Sequence, residues 1–252
     1  MTKYRINKTR FVDQTKTVSF TFEGKKYHGF EGDTLASALL SNGIHLVGRS
    51  FKYHRPRGIM SCGSEEPNAI CQINADTNLT EPNVRATEIE LYEGLRASSQ
   101  NCWPNLNFDI GGINNLISPF IPAGFYYKTF MWPKSFWKKI YEPLIRLSAG
   151  LGKSPSQPDP DIYDHKHEHC DVLVIGGGIS GIISAKIAAK NNLKTILIED
   201  KNVLGGSTIY QNNKNFVIDK QKSNEWLMNE ISGLEKLDNL TIKTRTSLAA
   251  FH

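Results

Sequence analysis

Between Thr17 and Glu31 apolar side chains fall on alternate positions. Val18, Phe20 and Phe22 are separated by polar residues, and Tyr27 opens a second such run after Glu23-Gly24. A period of two belongs to a strand with one buried face, so the segment predicts a hairpin turning at Glu23-Gly24. The period then changes. In "DTLASALLSNG", Leu35, Ala38, Leu39 and Asn42 lie three or four apart, on one face of a helix, with Asp33 as its cap and Gly43 as a left-handed stop. "NAICQINA" (68–75) reads as another strand, and "RATEIELYEGL" (85–95) as the one that finishes the sheet. Two strands, a helix and further strands predict a small α+β roll over residues 1–95.

Residues 96–169 lose this regularity. Trp103, Phe120, Phe125, Tyr126, Tyr127, Phe130, Trp132, Phe136 and Trp137 lie among prolines and glycines. Such dense aromatics need cover, and the segment reads as an arm packed over a neighbouring domain rather than a ligand cage. Only "PKSFWKKIYEPLIRLSAGLG" keeps a helical period, through Phe136, Ile140, Leu144 and Leu147, with Pro143 predicting a kink or two shorter helices. "GKSPSQPDPDIY" (152–163) has the composition of a linker.

At Cys170 the pattern becomes strand, glycine turn, helix, strand. "DVLVIGGG" is a continuous apolar run, as in a parallel strand buried on both faces. "ISGIISAKIAAKNN" follows as a helix and "KTILIED" as the second strand, with "LTIKTR" as a third. Gly176, Gly178 and Gly181 match G-x-G-x-x-G in the context that gives the motif meaning. The first permits the turn, the second lets a pyrophosphate approach the backbone, and the third lets the helix sit close on the strand. With Ile179 and Ser180 they place helix N-terminal amides against phosphate. Glu199 lies 21 residues after Gly178 at the end of the next strand, the place of a carboxylate that binds ribose hydroxyls and repels a 2′-phosphate. NAD or FAD is therefore favoured over NADP. Asp200 is the adjacent substitute, expected to face the other way. In "LGGS", Gly205, Gly206 and Ser207 either approach the same cofactor or form an ordinary turn.

Composition narrows the classes. Thirty basic against 25 acidic residues give a net charge of +5, too mild for a nucleic-acid binder. Four cysteines make no disulfide scaffold. The N-terminus lacks the apolar core of a signal peptide, and residues 116–132 are too broken by proline, glycine and lysine to span a membrane. A cytoplasmic protein is expected. "HKHEHC" brings His165, His167, His169 and Cys170 together, but without a second ligand segment it reads as a polar lead-in to the strand. The basic stretch "RSFKYHRPRG" (49–58) reads as structural or as a subunit contact. No residue is assigned a catalytic role, and no metal ligand is assigned.

The segments "GDTLASALLSNGIHLVGRSFKYHRPRGI", "EPNAICQI", "EPNVRATEIELYEGLRASSQNCWPNLNFDIG", "GFYYKTFMWP" and "GGGISG…IED…LGGS" resemble, in order, the N-terminal half of the alpha subunits of heterotetrameric sarcosine oxidases. The resemblance implies a ferredoxin-like β-grasp domain at 1–95, the aromatic arm and linker at 96–169, and from 170 to 252 the start of a Rossmann-type FAD/NAD-binding domain, incomplete at its C-terminus. It implies NAD on this chain (FAD as the alternative), FAD, FMN and tetrahydrofolate elsewhere in the complex, and beta, gamma and delta subunits as partners. Such complexes oxidise sarcosine with O2 to glycine and hydrogen peroxide and pass a one-carbon unit to tetrahydrofolate. Two departures stand out. A cluster-bearing relative would read C-G-x-x-x-C-x-x-C from Cys62, but Pro67 and Ile70 occupy the next two ligand positions and Cys71 is one residue off. The chain also ends before a folate region, so a fragment is expected. The rivals are a subunit of a sister amine, opine or amino-acid oxidase or dehydrogenase, an iron–sulfur electron carrier, and a structural subunit whose NAD does not turn over.

Overall fold

The computed structural model describes residues 4–5, 11–74, 79–120, 124, 130, 132–210 and 216–250, in two compact units, residues 1–162 and 163–252. In the first, the alternating run becomes β1 (Asp13–Phe22), paired antiparallel with β2 (Lys25–Glu31) so that Phe20 faces Tyr27 and Phe22 faces Lys25. Glu23 and Gly24 both take positive φ, as a tight hairpin turn requires. The helix α1 (Leu35–Ser41) follows, then the short pair β3 (Gly48–Arg49) and β4 (Pro56–Arg57), and β5 (Ile70–Ile73), β6 (Glu81–Arg85) and β7 (Leu95–Ser99). The main sheet runs β2-β1-β7-β5-β6. Only β1 and β7 are parallel, which is a β-grasp order. Leu35, Ala38 and Leu39 close the core against Phe20, Val47, Ile73 and Leu95.

Three local expectations need correction. The segment 85–95 is not the closing strand. Leu35 and Ala36 donate backbone N–H bonds to Ile89 and Ala86, and Leu91 donates to Asp33, so this stretch is tied to the start of α1. Gly94, at φ +82°, then turns the chain into β7, which extends the sheet to Ser99, beyond the expected boundary at 95. The cap of α1 is Thr34, not Asp33. Thr34 and Ser37 form a reciprocal capping box. Asp33 is instead held by the Arg5 guanidinium at 2.5 and 3.1 Å and by the Phe30 N–H at 2.9 Å.

The basic stretch is bound within its own unit. Arg49 donates twice to the Leu106 carbonyl, Arg55 to Asn115, and the His54 ring pairs with the buried Asp109 carboxylate at 2.6 Å. Residues 110–116 form a 3₁₀ turn and the single-turn helix α2 (Ile113–Leu116). The helical period after Pro133 gives a 3₁₀ turn (Lys134–Phe136), a π turn (Trp137–Tyr141) and α3 (Glu142–Ser148). Pro143 falls in the first turn of α3, where its missing donor is not needed. Trp103, Phe120, Trp132, Leu144 and Leu147 are exposed. Phe125, Tyr126 and Tyr127 lie outside the described residues.

In the second unit β8 (Val172–Ile175), α4 (Ile179–Lys190) and β9 (Thr195–Ile198) precede a small hairpin, β10 (Val217–Ile218) and β11 (Gln221–Lys222), then α5 (Ser223–Leu234) and β12 (Leu240–Lys243). A parallel sheet of order β12-β9-β8 results. The central β9 is buried at every position, but β8 is not buried on both faces as its apolar run predicted. Val174 lies beneath α4, whereas Leu173 and Ile175, on the opposite face, are about half exposed (48% and 55%).

Candidate dinucleotide-binding site

The glycine loop leaves β8 at Gly176, whose φ of +93° is a conformation other residues avoid. Its N–H still bonds to the Ile198 carbonyl, so the turn begins while the strand is paired. Gly181 is required by space: a Cβ there would stand 1.8 Å from the Gly176 carbonyl oxygen. Gly178 is the N-cap of α4, with no side-chain cap, and a Cβ on it would meet nothing within 4 Å. An uncapped helix start therefore faces open space, carrying the free amides and partial positive charge that suit a phosphate. Ile179 and Ser180 form the first turn of that helix.

Glu199 is buried directly beneath this loop. Its Oε2 accepts the Gly177 N–H at 2.5 Å, and Oε1 accepts the Lys201 N–H at 3.1 Å. Burial pushes its carboxyl above the usual range, and the neighbouring Asp200 carboxyl acts in the same direction. Asp200 itself is exposed. The "LGGS" stretch is part of the same construction. The Gly205 N–H donates to the Gly177 carbonyl at 2.8 Å, and a Cβ on Gly206 would lie 3.0 Å from the Gly178 Cα. Ser207 is exposed beyond them, whereas Thr208 is buried.

Gly177 was missed by motif spacing, which treats it as a free position. A Cβ there would come within 2.4 Å of Leu204 and 2.9 Å of Glu199 Oε2, so it links all three parts of the site. The third consecutive glycine was the only signal. His165, His167, His169 and Cys170 join no group of three or more metal-binding side chains among the described residues, and Glu168 pairs instead with Lys243 at 2.5 Å. No helix of the described residues is long and apolar enough to cross a membrane.

A β-grasp unit followed by a βαβ unit with a glycine loop defines a class: chains that join a ferredoxin-type module to a flavoprotein-type dinucleotide fold. Residues 15–102 match the family described as 2Fe-2S iron-sulfur cluster binding domain, and residues 171–234 match FAD dependent oxidoreductase. The chain is a homologue of sarcosine oxidase alpha subunits. It is 49% identical to that of Rhizobium meliloti (strain 1021), over 98% of this chain and 25% of that protein. It is 28% identical to that of Corynebacterium sp. (strain P-1), over 94% of this chain and 20% of that one. It thus spans about a quarter or less of these relatives' length. L-proline dehydrogenase from P. horikoshii shares the fold at a TM-score of 0.50 and 20% identity, over 92% of this chain and 34% of that one.

The residues here do not fit the iron–sulfur cluster that the first family description implies. Cys62 is exposed at the opening position, but Pro67 and Ile70 follow it. Cys71 is buried in the core and burial pushes its thiol up to about 12. Burial likewise takes Cys102 up to about 11. Thiolates are the usual cluster ligands, and neither of these thiols ionises readily.

Proposed function

We propose that the Gly176–Gly181 loop and Glu199 hold the ADP half of a dinucleotide, in a subunit of a sarcosine oxidase-type complex. The observation that carries this is the open space over Gly178, at the uncapped start of α4 and beside the buried Glu199. The pyrophosphate would lie against the helix amides, and the Glu199 carboxylate would accept the adenosine ribose hydroxyls. Gly205 and Gly206 keep side chains out of the loop's flank.

NAD is the proposed occupant, in line with the resemblance of the whole chain to these alpha subunits. FAD is the second reading, favoured by the match of residues 171–234 to FAD dependent oxidoreductases. ADP is common to both, so the same residues serve either. When bound, either cofactor supplies hydride chemistry. This chain's groups bind and orient it. By the same resemblance, the proposed assembly includes beta, gamma and delta subunits in the cytoplasm and demethylates sarcosine with O2, using FAD, FMN and tetrahydrofolate held elsewhere. The test is to release the nucleotide from purified protein and identify it by mass and visible absorption. Gly178→Val should yield protein without nucleotide. Full occupancy in that variant would overturn the assignment.

A further inference from the structure

The loop 58–71 of the first unit is organised around one side chain. Glu66 is buried, and its carboxylate accepts four backbone N–H bonds. Oε2 receives Met60 and Ser61 at 2.7 and 2.6 Å, and Oε1 receives Asn68 and Ala69 at 2.8 and 3.2 Å. The amides come from both limbs of the loop and converge on one anion. The loop's carbonyls are fixed from outside: Thr87 donates to Gly63 at 2.7 Å and Arg85 to Glu66 at 3.2 Å. Converging backbone amides form anion-binding hollows of the kind that hold phosphates and iron–sulfur centres, whose sulfurs take hydrogen bonds from their surroundings.

The same stretch matches a cluster-binding family while lacking the thiolates a cluster needs. We propose that Glu66 is a tethered replacement for the anion of such a loop: its carboxylate fills the amide-lined hollow and lets the β-grasp unit close without an inorganic group. Burial alone would raise the Glu66 pKa, but the four donors outweigh it and hold the group below its usual range. Without the carboxylate, four N–H groups would be left turned into a buried space, which folded proteins rarely tolerate.

The test uses the full chain and amide hydrogen exchange at Met60, Ser61, Asn68 and Ala69. In Glu66→Ala these amides should exchange at least about tenfold faster. Added sodium formate should restore protection saturably, and more than sodium chloride at equal ionic strength. Parent-like protection in the variant, or a loss that formate does not reverse, would overturn the proposal. If Glu66→Ala does not fold, Glu66→Gln decides. It keeps one acceptor oxygen and turns a donor group onto the other pair of amides, so faster exchange should be confined to Met60 and Ser61 or to Asn68 and Ala69. Equal effects on both pairs, or none, would count against it.

Discussion

Gly178 caps α4 and Gly181 lies three residues on in its first turn, yet they should respond to the same methyl group in opposite ways. In Gly181→Ala the new Cβ meets backbone, which cannot swing aside, so the second unit should lose about 1–3 kcal/mol or more. In Gly178→Ala it enters empty space, and stability should stay within about 0.5 kcal/mol while bound nucleotide falls. Thermal unfolding and nucleotide content, measured on both variants, separate a fold requirement from a ligand requirement. The two buried glutamates differ in the same manner. Glu66 has a depressed folded pKa, so its stabilisation is present above the ordinary glutamate value and is lost as pH falls through the folded one. A Glu66→Gln comparison should flatten the acid limb of the first unit's unfolding curve. Glu199 has a raised pKa, so its charged form costs stability at neutral pH, and that cost is relieved as pH falls through the raised value. The second unit should therefore gain stability over the interval in which nucleotide affinity weakens, since a protonated carboxyl is a poorer acceptor for ribose hydroxyls. Glu199→Gln, with Asp200 and Lys201 left in place, should abolish both trends.

Among the elements, β8 and β9 have similar apolar sequences and different surroundings. Leu197→Ala in the buried centre should cost about 2–5 kcal/mol. Leu173→Ala, on the exposed face of β8, should cost less than about 1 kcal/mol in this chain. Urea unfolding of the two variants measures the difference. Sequence alone could not make this distinction, because an apolar run records what a strand can bury and not what lies over it. The hairpin at Glu23-Gly24, the α1 face and the glycine loop were legible because each rests on a local period or on a φ that few residues tolerate. The role of 85–95 was not legible, because its partners are backbone groups at the start of α1, some 50 residues away. The capping error has a similar origin: Asp33 fits a cap locally, and only Arg5, distant in sequence, draws it elsewhere. The Glu66 hollow was hidden for a third reason. Its donors are amides, which every residue carries, so no motif marks them.

For the whole molecule, the division at 162/163 predicts two unfolding events rather than one. Lys166 lies in exposed coil, and trypsin should cut there before it cuts either sheet, leaving a resistant piece that contains β1 to β7. Cleavage first within β5–β7, or a single calorimetric transition, would contradict that division. The buried Glu66 carboxylate carries a consequence for how such a protein is made. A loop fastened by its own side chain closes as the polypeptide folds. With Glu66 in the anion's place, as proposed, it would wait for no metal delivery and offer no sulfide for oxidants to strip. Cells starved of iron should therefore accumulate the first unit in folded form as readily as well-supplied cells. Its yield should also survive exposure to hydrogen peroxide at levels that bleach cluster-bearing proteins of the same architecture.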